Sequence, residues 1–506
     1  MPTKIHGQEL FNFQAVARAA VPLLRPEPFM LWVATSVREG RRLMALFGTQ
    51  PSGQESEGQE RSGVEVYAVL GSAETGALSV ARTRIAESYT ALTPRCPAAQ
   101  GFERELYEQF GAVGLKPEGH PWLKPVRFEN PDGPRIGVMD FFTLRGAEAH
   151  EVAVGPVHAG IIEPGHFRFQ CHGENVLHLE ISLGYQHRGV EKAMPNAPSL
   201  RAMRLAETVA GDSSVAHGWA YCGCLEALAR RQIPERATLL RAMALELERL
   251  ANHTGDLGAL AGDVGYLPTM SFCGRLRGDF LNMSALLCGN RFGRTMLKPG
   301  GVGHDADAQR LATLRQRLDA TVRDVQGAFH LMFHTPSVLA RFEQAGALTP
   351  EMARELGLVG PPARACGLEL DSRRDFPAPG LRPDETALSV CATGDVYSRA
   401  RVRFLEIEES AAAIRRWIDR LQDGDVCSPL GALARDSLAV AVVEGWRGEV
   451  CHVALTSAEG RLERYKIVDP SFHNWFGLAM ALRNEQISDF PLCNKSFNLS
   501  YCGHDL

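Results

Sequence analysis

The sequence predicts an α+β chain in two unequal parts. A small N-terminal α+β domain with an antiparallel or mixed sheet occupies about 1–145, and a large, mainly α-helical bundle domain with small β appendages occupies 146–506. Three observations carry this reading. The length of 506 residues exceeds the size at which a single core usually stops growing. Short β-rich runs crowd the beginning of the chain. Beyond about position 150, apolar residues recur three and four apart, the period of a helix with one buried face.

In order along the chain, FMLWVATSV at 29–37, RRLMALFGT at 41–49 and VEVYAVLGS at 64–72 read as strands of a hairpin or meander. Between the last two, PSGQESEGQERSG is too polar to bury and reads as a loop. GFERELYEQF then forms a short helix ending at Gly111, followed by an extended arm rich in Pro and Gly to about 128. FRFQCHGENVLHLEI has a strand pattern. Leu239, Met243, Leu247, Leu250 and Leu257 mark one helix face, and Leu311, Leu314, Leu318, Val322, Val325, Phe329 and Met332 another. Val402, Leu405, Ala412, Trp417 and Leu421 mark a third, and several such faces imply a bundle core. Near the end, VCHVALTS and RLERYKIVD flank AEG and read as a hairpin appended to the bundle.

Composition narrows the function. Hydrophobic residues make up 45% and charged residues 22%, the balance of a globular protein. A formal net charge of −5, with no local block of like charge, offers nothing to collect nucleic acid. No apolar run is long enough to cross a bilayer and the start, MPTKIHGQELFNFQ, lacks a signal peptide's apolar stretch. The expected location is therefore cytoplasmic, with any membrane contact made through partner subunits. The twelve cysteines are scattered, and no pair has the CxxC spacing that puts two sulfurs on one metal. They are expected to be reduced thiols, mostly in the core.

Two segments carry a family resemblance. FERELYEQFGAVGLKPEGHPWLKPVRF, at 102–128, has the ordered ERE, FG and GHP of a small hydrophilic subunit of respiratory complex I, which it resembles. GPVHAGIIEPGHFRFQCHGENVLHLEISLGYQHRGVEKAM, at 155–194, resembles the opening of the large subunit that complex I shares with the membrane-bound nickel-iron hydrogenases. RTMLKPGGV, TGDVYSRARVRFLEIEESAAAI and WRGEVCHVAL through RYKIVDPSFHNW follow in the order of that large subunit. The chain thus resembles a fusion of two complex I modules, a layout also found in the large subunits of formate hydrogenlyase and hydrogenase-4. The resemblance implies a hydrogenase large-subunit-like fold and an oxidoreductase subunit active only in complex. It would dock an iron-sulfur small subunit, similar to the one that bears the terminal cluster of complex I, and sit through antiporter-like membrane subunits on the cytoplasmic face of the inner membrane. Donors such as NADH, formate or ferredoxin would act on other subunits, so any NAD binding belongs to the assembly.

The site implied by the family is altered. Hydrogenases hold nickel with two CxxC turns, because soft thiolates suit nickel and iron. Here the first turn maps to Ala210-Gly211-Asp212-Ser213 and the second to Ser500-Tyr501-Cys502-Gly503, with no cysteine at any of the four ligand positions. A nickel-iron centre is therefore not expected, nor any metal held by this chain. The complex I branch binds quinone with a His and a Tyr, which map to Ile162 and Gly211. The His that complex I relatives place beside the terminal iron-sulfur cluster maps to Gly293, next to Arg294.

What persists is polar. His158, Glu207, Asp212 and His217 are candidate cavity residues, joined by His504 and Asp505, and Arg188, Glu191 and Arg294 are expected to face a cluster on the partner. A fixed cation such as Arg188 favours a reduced cluster, and Glu207 matches a carboxylate that transfers protons in hydrogenases. Structural readings stand beside these. Arg188 and Glu191 are spaced for an ion pair, His217 lies on an apolar run, Pro156 and His158 can shape a turn, and Gly300 and Gly301 can serve backbone geometry. His172 and His178 read as structural. Two functions follow: transfer of electrons from a partner cluster to quinone or another acceptor, or a catalytically silent subunit of an ion-translocating complex.

Overall fold

The computed structural model describes residues 6–50, 63–130, 133–146, 148–158 and 162–506. The chain is α+β, with a sheet-bearing N-terminal part and a larger helical part. The polar loop expected at 51–63 lies almost wholly outside the described residues.

Strands Gln8–Phe11, Ala77–Ile85, Val64–Ser72 and Arg42–Thr49 form an antiparallel sheet in that order, and Leu23–Leu24 adds a short parallel pairing to Ala77–Ile85. The segment 29–37 is not one of its strands; it lies in the helix Pro26–Arg38. The apolar run misleads because a short buried helix and a buried strand share it, and Pro26 at the first helical position is the signal that separates them. Phe29, Met30, Val33 and Ser36 are buried while Leu31 is exposed, as a 3.6-residue period requires.

The expected C-terminal hairpin is the middle of the molecule, not an appendage. Strands Leu462–Val468, Gly448–Thr456, Ser437–Gly445 and Gln14–Ala17 make an antiparallel sheet in that order, so residues from both ends of the chain share it. Both nine-residue central strands are buried at every position, so SLAVAVVEG reads as one continuous apolar run. Successive side chains go to opposite faces. Leu438, Val440, Val442, Cys451, Val453 and Leu455 enter the core of the N-terminal part. Ala439, Ala441, Val443, Val450 and Ala454 enter the core of the helical part. The sheet is thus a wall common to two cores.

On the helical side that wall packs against Ser214–Leu228, buried at all fifteen positions as expected of a helix apolar all round. Behind it lies Glu235–Asp263, which packs on Leu267–Cys288 and Val396–Arg420; Leu267–Cys288 in turn packs on Ala308–Phe333. The stripes of the first two predicted helices are buried as expected, Leu311 only partly. The third is shifted. Leu405 and Ala412 are half-buried, and the inner face of Val396–Arg420 carries Ile407, Ala411 and Ile414 together with Arg403, Glu406 and Ser410.

That polar inner face is the anchor of a charge network. Glu406 accepts from Arg364 Nε at 2.9 Å, Arg249 Nη1 at 3.2 Å and His253 Nε2 at 2.8 Å, all out of water. Arg249 also donates to Glu246 and to the carbonyls of Glu444 and Gly445, and Arg364 to the Glu444 carboxylate. The network continues through Ser372 and Glu449 to Arg42 of the N-terminal sheet. Burial opposes ionisation of Glu406, but the Arg364 guanidinium, the His253 hydrogen bond and the Arg249 guanidinium outweigh it and hold its carboxyl well below the ordinary value.

Removing one partner of such a buried cluster leaves uncompensated charge. Glu406→Ala is expected to cost about 3–5 kcal/mol in urea unfolding. Glu408→Ala, which loses a surface bond to Gln326, is expected to cost about 0.5 kcal/mol or less. Equal losses in the two variants would remove the network from its proposed role.

Candidate functional site

The two turns aligned with metal-binding turns of the family lie side by side, joined by guanidinium groups. Arg188 donates to the carbonyls of Thr208 at 2.6 Å, Val209 at 2.9 Å and Cys502 at 2.9 Å, and its backbone N–H reaches Leu506 O at 2.6 Å. Arg447 grips the Asp212 carboxylate with two bonds of 2.6 and 2.8 Å and donates its Nε to Asn498 O at 2.6 Å. Each arginine therefore spans the space between the 208–213 segment and the 498–506 segment. Paired N–H bonds to a carboxylate fix orientation as well as charge.

The terminal helix Tyr501–Asp505 is held from several sides. Glu163 accepts from its first two backbone N–H groups at 3.3 Å, where a helix start favours an anion. The Asp505 carboxylate accepts from Gly184 N at 2.8 Å and Gln186 N at 2.9 Å, and His504 Nδ1 meets it at 2.9 Å. Gly503, at the position the sequence reading matched to a metal ligand of the family, has no room for a side chain. A Cβ there would lie 2.7 Å from the Asp469 carboxylate and 2.9 Å from Ser500 Oγ. Cys502 is next to a ligand position, and burial and the Glu163 carboxylate push its thiol up to about 11. Among the described residues, no group of three or more His, Cys, Asp and Glu is arranged to hold a metal ion.

Behind the turns runs a chain of buried polar groups. His217 Nε2 lies 3.0 Å from Asp469 Oδ2, its Nδ1 lies 3.0 Å from His452 Nε2, and His452 Nδ1 lies 2.9 Å from the Tyr465 hydroxyl. Proton positions follow from donor and acceptor counting. Burial raises the Asp469 carboxyl, but His217, Arg447 and Ser471 outweigh it and hold it below its ordinary value, so it accepts. His217 then carries its proton on Nε2 and accepts at Nδ1; His452 carries its own on Nε2 and accepts the Tyr465 hydroxyl at Nδ1. All three protons point toward Asp469. Burial, helped by His217, keeps His452 well below the usual histidine value and hence neutral.

The other predicted residues are placed as follows. Glu207 is buried, pairs with Arg204 and accepts from Thr295 N at 2.7 Å, which puts it beside the turn bearing Arg294. Arg294 Nε is buried with no partner. His158 is tied to its own loop through Nε2 to Gly165 O at 2.9 Å. Ile162 is exposed. The expected ion pair between Arg188 and Glu191 does not form: Arg188 lies before Gly189, the cap of the helix Val190–Ala193 that carries Glu191, and its side chain goes to the carbonyls of Thr208, Val209 and Cys502 instead. Glu191 sits at the junction of the two parts, with Lys466 at 3.0 Å and Arg464 at 2.9 Å. Burial alone would raise its carboxyl, but Lys466, Arg464 and Arg127 hold it at about 2. Glu191 thus acts as a clasp between the two parts of the molecule, since Lys466 also binds Glu105 at 2.5 Å.

Sequence reading missed Arg447, Glu248, His452 and Asp469. His452 and Asp469 left signals: a His at an alternate position of a buried strand, and an Asp before Pro at a helix start. Glu248 accepts from Val215 N at 2.7 Å and Ala216 N at 3.3 Å, and burial together with Asp212 raises its carboxyl to about 8 despite those two donors.

Comparison with known proteins gives consistent matches. The family model described as "Respiratory-chain NADH dehydrogenase, 49 Kd subunit" matches residues 263–436. Formate hydrogenlyase subunit 5 of Escherichia coli (strain K12) is 31% identical over 436 residues, covering 82% of this chain and 76% of the relative. Carbon monoxide-induced hydrogenase of Rhodospirillum rubrum is 30% identical over 351 residues, covering 69% of this chain and 97% of the relative. NADH-quinone oxidoreductase subunit 4 of Thermus thermophilus is 29% identical over 370 residues, 68% of this chain and 90% of the relative. In fold, the chain matches one chain of the membrane-bound sulfane sulfur reductase, an archaeal respiratory membrane complex, with a TM-score of 0.66 at 23% identity, over 71% of this chain and 99% of that one.

The neutral buried histidines weaken the fold in acid, while Glu248, raised to about 8, acts in the opposite direction as pH falls. A His whose folded value is depressed takes up a proton first in the unfolded chain, so stability is full above 6.5 and falls as pH drops below it, until the folded value is reached. His253 and His473, depressed to about 4 by burial, act in the same direction. His452→Gln is expected to flatten the pH dependence of unfolding free energy below 6.5 by about one proton, or roughly 1.4 kcal/mol per pH unit. An unchanged slope in urea titrations between these limits would show that His452 is not held neutral.

Proposed function

The chain belongs to the large-subunit family that includes formate hydrogenlyase subunit 5, and from that premise we propose how its altered site works. It is the large subunit of a membrane-bound respiratory or hydrogenase-type complex, an oxidoreductase subunit that acts in complex. Electrons pass singly from an iron-sulfur cluster on a docked small subunit to an acceptor beside the 208–213 and 498–506 segments. With quinone as acceptor, two electrons and two protons yield the quinol. Antiporter-like membrane subunits carry the assembly at the cytoplasmic face of the inner membrane; among the described residues no helix is long and apolar enough to cross it.

The observation that carries this reading is the double guanidinium clamp backed by the buried acid and imidazole chain. Arg188, whose partners here are neutral carbonyls, supplies fixed positive charge between the turns, which stabilises an acceptor gaining electrons, and Arg447, paired with Asp212, ties the same turns together. Asp212, His217 and Glu207 keep polar groups at the same place, Glu248 holds a proton at neutral pH, and Arg294 retains an unpartnered Nε on the adjoining turn.

A nickel-iron centre does not fit these residues. Ala210, Ser213, Ser500 and Gly503 provide no thiolate, and the space at Gly503 is closed by Asp469. The clamp also favours a second reading, a catalytically silent subunit, because a bidentate ion pair occupies the turn where chemistry would take place.

Purified complex assayed with a reduced low-potential dye and a soluble naphthoquinone separates these readings. The expected result is quinol formation with a reducible iron-sulfur signal and no stoichiometric nickel, and Glu248→Gln lowers turnover by about ten-fold or more, the scale of a lost proton-transfer group. A reducible signal without quinol formation selects the silent subunit. Stoichiometric nickel would overturn the site assignment.

A further inference from the structure

A second site stands at the junction of the N-terminal part with the helical part, where the walls enclose a cavity of about 500 Å³. The volume is that of a small-molecule pocket, roughly 300–1,000 Å³ in general. One side is the GHP segment and the helix Gln100–Phe110, and the other is the helix Pro470–Ala481 with strand Asn175–Ser182. Phe102, Trp122, Phe472, Trp475 and Phe476 supply flat apolar faces.

The charges around it are already spoken for. Arg104 donates to the carbonyls of Lys124 at 2.8 Å and Pro125 at 2.9 Å and to Gln100 Oε1 at 3.0 Å. Glu180 is met by Lys124 Nζ at 2.7 Å and Phe142 N at 2.9 Å. Burial, with Arg42 nearby, holds His473 at about 4, and burial lowers His178, so both imidazoles are neutral. No lining charge is left to attract an ion.

Two polar atoms of lining residues are not spoken for. Trp475 Nε1, a donor, and His178 Nε2 are buried with no hydrogen-bond partner. Neither atom is open to the space of the cavity, so its walls offer a guest mainly apolar surface without a bare charge.

We propose that this cavity binds an uncharged, ring-bearing small molecule whose ring stacks among the aromatic faces. It is separate from the space between the turns, since of the terminal helix only His504 lines it. It therefore stands whether or not the acceptor proposed above is correct.

The test is titration of the full-length chain, alone and in its complex, with Prodan, an uncharged naphthalene ketone whose emission reports burial and which accepts energy from tryptophan. One saturable site with blue-shifted emission is expected in both forms. Leu356→Trp, at the cavity wall, is expected to weaken binding by about ten-fold or more, about 1.4 kcal/mol. Phe476→Ala, which removes one aromatic face of the wall, is expected to weaken it about five-fold. The anionic probe anilinonaphthalene sulfonate is expected to bind more weakly than Prodan. No saturable Prodan signal, a signal lost in the complex, equal binding by both variants and the parent chain, or tighter binding of the anionic probe would each overturn the assignment.

Discussion

A charge taken out of water must be met inside the protein, and that constraint organises this molecule. The guanidiniums of Arg127, Arg241, Arg249, Arg364, Arg399 and Arg403 are fully buried. Each is answered by carboxylates or carbonyls brought from distant parts of the chain: Arg241 by Glu226 and Gly301 O, Arg403 by Asp256 and Phe497 O, Arg399 by Ser496 and by the carbonyls of Gly346 and Gly394. Such pairs add little net stability over apolar packing, yet they tolerate only one arrangement, because a misplaced partner leaves a bare charge behind. The helices are therefore fixed in register by their polar residues as much as by their leucines.

The same economy links fold and site. Arg188 and Arg447 answer backbone carbonyls and Asp212 at the two turns in the way Arg249 answers Glu444 and Gly445 in the core. The four-stranded sheet gives one face to each core, and its residues Tyr465 and His452 extend the hydrogen-bond chain from the interior to Asp469 and the terminal helix. Glu191 and Lys466 close the joint between the two parts beside that chain.

How much of this the sequence revealed depended on how far apart the partners lie. The helix Ala308–Phe333 was legible because its stripe is apolar and local, and the β-strands 64–72 and 41–49 because their composition is. The inner face of Val396–Arg420 was hidden because Arg403, Glu406 and Ser410 look like surface residues until their partners on other elements are known. Pro26–Arg38 was misread because an apolar run has no period of its own. At the site, His217 was visible as a lone His on an apolar run, but His452 and Asp469 lie 235 and 252 positions away and only folding brings them within 3.0 Å. Arg447 was passed over for the same reason.

Gly503 limits what its neighbours can become. Any side chain at that position would have to occupy the volume that the Asp469 carboxylate fills, 2.7 Å from the site of a Cβ. Asp469 in turn is committed to His217 and to the backbone of Ser471. Cysteine at this one position would collide with a committed neighbour, and moving the neighbour first would strand His217. A thiolate here would therefore need at least a second substitution that gives Asp469 and His217 other partners.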